Sequence, residues 1–210
     1  MISLSEILHT IAQALMIPCL IILIILMAGA VWQIGDIVVE YIAERRKHKC
    51  NVPQLLRDVH AAGADGLAEL IENSGLLRRQ KKALLELAES RGLPKDTLTA
   101  LAERLLATEE ARNARTTSVT DMIAKLGPMF GLLGTLIPLG PGIVALGQGD
   151  TATLSESMNV AFDTTIAGVI SAAVASVISH IRKRWYNDDM VSLETLMEAV
   201  LEEVTSDVEG

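Results

Sequence analysis

The sequence has no excess of positive charge, few cysteines and no cluster of metal-binding side chains. Its 210 residues carry a formal net charge of −8, so it lacks the basic footprint of a nucleic-acid-binding protein. Of its two cysteines, Cys19 lies in an apolar run and Cys50 lies in a basic region, on what we interpret as different sides of a membrane boundary. We therefore expect no disulfide. No cysteine–histidine group has the spacing of a metal site, and we expect neither a metal nor a cofactor.

Enzyme signatures are also missing. The chain contains no GxxxxGK[ST] phosphate loop, and its glycine-rich segment lies in an apolar window where no strand precedes it. The four histidines are scattered along the chain and none is paired with a nucleophile: His9, His48, His60 and His180. The sequence thus predicts that the protein is not an enzyme.

Long uncharged windows are what the sequence does have. Half of its residues are hydrophobic although 21% are charged, and the mean hydropathy is +0.37, which indicates that the two kinds are segregated. The uncharged windows are 7–35, 126–149 and 157–179, the last interrupted only by Asp163. Each is long enough to cross a bilayer core of about 30 Å.

The first window has a second interpretation, as a signal peptide. No basic segment precedes it and no small-residue cleavage site follows it, so we interpret it as a retained membrane anchor.

Basic residues at the window ends all favour one orientation. The cluster RRKHK (45–49) follows window one, Lys125 precedes window two, and RKR (182–184) follows window three. By the positive-inside rule these ends lie in the cytoplasm, whereas the N-terminus and the loop between windows two and three, which has no positive charge, lie outside. We expect a multi-pass protein of the cytoplasmic (inner) membrane.

The charged parts of the chain show helical periodicity. Apolar residues at three- and four-residue spacing predict helices from 53 to Gly75, from 76 to Gly92 and from Pro94 onward, the last continuing into window two. The tail predicts an amphipathic helix with a stripe of apolar side chains at Met190, Leu193, Met197, Val200 and Val204. These helices either pack on their own subunit or contribute to contacts between subunits.

The resulting fold class is an all-α membrane protein with three transmembrane helices and a cytoplasmic helical region. The predicted segments are an outer N-terminal segment (1–13), transmembrane helix 1 (14–39), the cytoplasmic helical region (44–121), transmembrane helix 2 (124–147), an outer loop (148–156), transmembrane helix 3 (158–181) and a cytoplasmic C-terminal helix (186–206).

Small residues line the second and third windows. Segment 127–150 holds seven glycines and three prolines, and window three has a four-residue ladder of Thr164, Gly168, Ala172 and Ser176. Small side chains allow membrane helices to approach closely. Part of this surface is expected to join windows two and three, and the rest to face other copies or a partner.

Polar side chains within the windows are few. Thr135 lies about nine residues, or roughly 14 Å, beyond the inner end of window two. Thr164 and Thr165 lie nearer the outer side of window three. Each hydroxyl either bonds to a carbonyl of its own helix or contributes to a shared polar lining. Asp163 either has a functional role or reaches the outer interface, since it lies only about five residues from the window end.

Two of these segments resemble a known family. GLLGT (131–135), followed in the next window by AFDTTIAG (161–168), resembles the MotA/TolQ/ExbB proton channel family, and the three-helix layout is similar to its ExbB/TolQ branch. The resemblance implies a ring, typically a homopentamer, around the helices of a single-span ExbD/TolR/MotB-like partner that carries the protonatable Asp. It implies energy transduction from an H⁺ or Na⁺ gradient, with protein transport as one possible load.

Site residues follow from the motif positions. The resemblance implies that Thr135 and Thr165 face the ion pathway, and we add Thr164 and Asp163 from their neighbouring positions. The expected wall facing the partner helix consists of Gly131, Gly134, Ala161, Gly168 and Ala172.

The chain departs from the family pattern in two places. Val160 stands where the ExbB/TolQ branch has a glutamate, and the proline usual later in the third helix is missing, whereas Pro138 and Pro141 fall in the second. These differences indicate a divergent member. Two other hypotheses are a structural membrane scaffold without ion conduction and a secondary transporter; the latter often shows internal repeats and midplane charges, which the sequence lacks.

Overall fold

Helices form the whole of the architecture that the structure describes. This computed structural model describes residues 4–45 and 51–209, which contain no strand. Residues 46–49 of the basic cluster, including His48, and the neighbouring Cys50 lie outside the described residues. The helices are α1 (Leu4–Ala14), α2 (Met16–Glu40), which continues into a short π-helix (Tyr41–Arg45), α3 (Val52–Asn73), α4 (Arg78–Glu89), α5 (Lys95–Gly147) and α6 (Thr151–Glu209).

Three helical stretches are long and apolar enough to cross a membrane. They lie within Glu6–Ala43, Lys95–Gly147 and Thr151–Ser206, and they coincide with the three uncharged windows. A span needs about 20 residues, so α5 and α6, with 53 and 59 residues, extend well beyond their windows. The expected continuation of the charged helix into window two is confirmed, and α5 passes through Pro128, Pro138 and Pro141 without ending.

The turn between α5 and α6 is shorter than expected. Segment 148–156 was predicted to be a loop, but α6 begins at Thr151. Gly149 makes the turn with a φ of 78°, a left-handed conformation that favours glycine. Asp150 then caps α6: its carboxylate accepts the backbone N–H of Thr153 at 3.1 Å and the Thr153 hydroxyl at 2.6 Å. These bonds lower the pKa of Asp150, with the hydroxyl as the largest cause.

The chain divides into two compact units. The apolar unit comprises Met1–Ile37 and Thr117–Ile181, and the charged unit comprises Val38–Thr116 and Arg182–Gly210.

An apolar core holds the described part of the charged unit together. Helices α3 and α4 contribute fully buried side chains such as Leu67 and Leu87, and the tail of α6 contributes Leu193, Met197 and Val200. Four of the five residues of the apolar stripe of the tail are thus buried within their own chain, and Met190 is half-buried. Gly63, with a φ of 61°, interrupts α3 before it resumes, which is a conformation that glycine adopts at little cost.

A buried ion pair lies in the same unit. The Arg182 side chain, only 1% exposed, donates from Nε to the Glu40 carboxylate at 3.0 Å. Next to it, the rings of Tyr41 and Trp185 stack with centroids 6.2 Å apart. Burial raises the pKa of the Tyr186 phenol above its ordinary value, and the Glu40 carboxylate beside it raises that pKa further.

The apolar unit depends on the close approach of α5 and α6. A methyl group built on Gly168 would lie 2.5 Å from the carbonyl oxygen of Gly127 and 2.9 Å from the Cα of Gly131. One turn further along α5, a methyl group on Gly134 would lie 2.5 Å from the Cβ of Thr164. The two backbones therefore touch, and no larger residue fits at these positions without movement.

We predict that Gly134→Ala destabilises the protein, because the added methyl group collides with Thr164, whose own position is fixed by two backbone hydrogen bonds. Overpacking of this kind costs about 1–3 kcal/mol. Thermal unfolding of the detergent-purified protein measures the loss. Gly140→Ala is the matched control, since a methyl group there meets nothing within 4 Å; equal midpoints for the two variants would contradict the prediction.

We predict that Glu40→Leu lowers the free energy of unfolding by about 3 kcal/mol, because it removes the carboxylate that accepts the hydrogen bond from the buried Arg182 side chain. The double variant Glu40→Leu/Arg182→Met is expected to recover most of this loss, since an apolar pair replaces the ionic one. Chemical unfolding in detergent measures both. An exposed glutamate of the same unit, Glu198→Leu, is the control; a double variant no more stable than Glu40→Leu would contradict the account.

Candidate functional site

Three threonines lie beside the glycine contact between α5 and α6. Gly131 lies against the backbone of α6 at Thr164 and Thr165. A methyl group built on Gly131 would be 3.5 Å from the backbone carbonyl oxygen of Thr164 and 3.6 Å from the Cα of Thr165. Thr135 follows Gly131 by one turn on α5. The structure thus brings the two family motifs together, although they are about 30 residues apart in sequence.

Thr164 is inside the contact. Its side chain is only 6% exposed, and its hydroxyl donates to the carbonyl oxygens of Val160 and Ala161, each at 2.9 Å. It packs directly on Gly134. This threonine therefore has a clear packing role within the chain.

Thr135 and Thr165 lie at the edge of the contact and are half-buried. The Thr135 hydroxyl donates to the Leu132 carbonyl at 2.6 Å, and the Thr165 hydroxyl donates to the Ala161 carbonyl at 3.1 Å. A hydroxyl that donates one hydrogen bond still has lone pairs that can accept another. Both side chains can therefore interact with a group outside the chain while they hold their own helix carbonyl.

The five predicted wall residues are all buried. Gly131, Gly134 and Gly168 make the contact just described, Ala172 lies against Gly127, and Ala161 is 4% exposed. What the structure shows is a contact within one chain, and a role for these residues toward a partner stays a prediction. Asp163 is exposed on α6, one residue before the buried Thr164.

Larger apolar side chains adjoin the threonines on the outer surface of the unit. Leu132 and Leu136 on α5 are 60% and 59% exposed, and Phe162 and Ile166 on α6 are 57% and 56% exposed. Apolar surface of this extent needs lipid or another protein chain to cover it. It flanks the half-buried threonines on both helices.

Sequence reasoning missed two polar contacts. Arg182 was used only as a marker of orientation, yet it is a buried partner of Glu40. The Ser179 hydroxyl donates to the Asp121 carboxylate at 2.5 Å, which joins the C-terminal end of the α6 span to α5. The spacing of Thr117, Thr120 and Asp121, which places them on one helix face just before window two, is the signal that could have drawn attention to this contact.

Comparison with known protein families matches residues 70–195 to the MotA/TolQ/ExbB proton channel family. This match covers more than half of the 210 residues and includes both threonine motifs and the whole α5–α6 contact. Comparison with curated proteins gives no match. The three apolar helices and the matched family together identify a channel-type membrane protein, and the chain belongs to the MotA/TolQ/ExbB proton channel family.

Proposed function

We propose that the chain is the ring subunit of an ion-driven motor or stator channel of the ExbB/TolQ kind. Five copies would surround the transmembrane helices of a single-span ExbD/TolR/MotB-like partner and pass the energy of an ion gradient to it. The observation that carries this proposal is the pair of half-buried threonines, Thr135 on α5 and Thr165 on α6, next to the glycines that join these two helices.

A hydroxyl suits this role chemically. It donates a hydrogen bond to an ionised carboxylate and accepts one from a protonated carboxyl group. Thr135 and Thr165 can therefore remain bonded to the partner's Asp as it gains and loses a proton. The transmembrane potential supplies about 2.3 kcal/mol per charge for each 100 mV.

The proposed orientation of the chain in the membrane is inferred from the positions of its basic residues. Lys125 before the α5 span and RKR (182–184) after the α6 span would be cytoplasmic, with the N-terminus and the turn at Gly149 outside. Asp163 and the turn would then lie on the outer side, where the ion enters. In this arrangement the charged unit is cytoplasmic.

The exposed apolar surface supports a ring. Leu132, Leu136, Phe162 and Ile166 leave apolar area uncovered in the single chain. In a ring, neighbouring copies and lipid would cover this area, while the threonine edge of the α5–α6 contact would face the central partner.

A structural scaffold is the second candidate. It is favoured by the finding that the small-residue faces of α5 and α6 are used inside the chain and that each threonine hydroxyl bonds to its own helix. In that case the hydroxyls matter only for packing, and an isosteric valine at the half-buried positions would be silent.

We predict that Thr165→Val lowers gradient-driven ion flux roughly 10- to 100-fold, because one hydrogen bond to a charged group is worth about 1.5–3 kcal/mol. Thr135→Val is expected to act in the same direction. The measurement is ion uptake by vesicles that contain the native complex, with a pH-sensitive dye for H⁺ and a sodium-sensitive dye for Na⁺. The size of the purified complex should be unchanged.

The exposed Ser176, on the same helix, supplies the control Ser176→Ala, which should conduct as the parent does. Normal flux in both threonine variants would favour the scaffold and reject the channel.

A further inference from the structure

Buried polar side chains gather at the inner end of the apolar unit. Gln33 on α2, Thr117 and Thr120 on α5, and Ser179 on α6 are all less than 9% exposed, and Asp121 on α5 is half-buried. We refer to these five residues as the inner polar layer. Thr117, Thr120 and Asp121 have the three- and four-residue spacing that places them on one face of α5.

Packing contacts bring the three helices into register at this level. Along α2, the Cys19 thiol lies 3.4 Å from the Phe130 carbonyl oxygen, and a methyl group built on Gly29 would lie 3.1 Å from Ile123, so α2 and α5 run antiparallel. Gln33 follows Gly29 by one turn, which places it beside the α5 turn that holds Thr117 and Thr120.

The third helix joins the same level through a hydrogen bond. Ser179 donates to Asp121 at 2.5 Å. One turn toward the membrane interior lies an apolar cluster of Leu26, Ala30, Ile123 and Ala175. The inner polar layer therefore ends where this apolar packing begins.

One group in the layer is unsatisfied. The Thr120 side chain is 0% exposed, and its hydroxyl makes no hydrogen bond to a protein group in the described part of the chain. Buried hydroxyls in native proteins are bonded to protein or to ordered water. A buried water typically makes about three hydrogen bonds, which a site rich in polar side chains can provide.

We propose that the inner polar layer binds water and that Asp121 exchanges protons with it, so that each subunit has its own proton-exchange site. The step is a simple transfer: a hydronium ion gives its proton to the Asp121 carboxylate and becomes water, and the resulting carboxylic acid later releases the proton to another water. Asp121 is half-buried, and its carboxylate contacts the layer through the Ser179 hydroxyl.

This site is separate from the threonine pair. Thr120 and Thr135 are 15 residues apart on α5, or about 22 Å along the helix. The layer lies at the inner end of the spans, because Asp121 precedes Lys125 by one turn and Ser179 is the last residue of window three. The inference rests on the proposed function with H⁺ as the ion.

Other titratable groups lie within about one helical turn of the layer residues on the same helices. They are Lys125 on α5, His180 and Lys183 on α6, and Asp36 on α2. The test therefore needs a signal specific to the Asp121 carboxyl group.

The first experiment tests whether the inner polar layer contains bound water. In a dry layer, Thr120→Val removes an unsatisfied hydroxyl and leaves the thermal midpoint of the detergent-purified complex unchanged or raises it. In a hydrated layer the same change removes a hydrogen bond to water and lowers the midpoint, which is the expected result. Thr116→Val, one turn earlier on α5, is the matched control because its hydroxyl is exposed and bonds to the Arg112 carbonyl.

The second experiment follows the proton. Asp121→Asn keeps an oxygen that accepts the Ser179 hydroxyl but cannot take up a proton. Infrared difference spectra between alkaline and acidic buffer should show a protonated-carboxyl band that Asp121→Asn removes. Proton flux in vesicles should fall roughly tenfold or more, as expected when a positioned proton acceptor is lost. Asp188→Asn, an exposed carboxylate on α6, is the control.

The two proposals fail in different ways. A Thr120→Val midpoint that is unchanged or higher overturns the hydrated layer. Normal flux and an unchanged infrared band in Asp121→Asn overturn the proton exchange, and if Thr165→Val still lowers flux the proposed function stands. Normal flux in both Thr165→Val and Thr135→Val rejects the proposed function itself.

Discussion

The close contact between the backbones of α5 and α6 is the constraint on which the apolar unit depends. Gly127, Gly131 and Gly168 meet without intervening side chains, and no Cβ fits between Gly168 and the Gly127 carbonyl. Lipid tails are as apolar as the side chains of the helices, so the hydrophobic effect does not drive helix association in lipid. Close packing of this kind is a main source of helix association there. The glycines that weaken an isolated helix are thus the residues that join these two helices.

The positions of the threonines follow from this contact. Since Gly134 lies on Thr164 and Gly131 lies near Thr165, the register of the two helices fixes one threonine inside the contact and leaves Thr135 and Thr165 at its edge. The hydrogen bond between Ser179 and Asp121 depends on the same register, because these two residues meet only when α5 and α6 pack as the glycines require. The proposed channel function and the proposed proton-exchange site therefore both depend on one helix pair.

Much of the fold was predictable because membrane spans and amphipathic helices leave a local signal. The three windows, the start of α5 after Pro94 and its continuation into window two all follow from short-range patterns.

The sequence could not decide which small-residue face is used within the chain, because that depends on the register of two separate helices. The Glu40–Arg182 pair joins residues 142 positions apart, and no local spacing signals it. Helix α6 begins at Thr151, six residues before the uncharged window at 157. Asp150 caps this start by accepting hydrogen bonds from the Thr153 hydroxyl and backbone N–H, a contact that the charge pattern does not indicate.

The central claim is that copies of this chain enclose a second, single-span protein. Native mass spectrometry of the complex, purified from its own membrane through a tag on this 22.6 kDa chain, tests that claim most directly. The account predicts five copies of the chain together with a smaller number of copies of a short protein that has one membrane helix and an Asp near its start. A monomer, or a ring that contains no second protein, would contradict it.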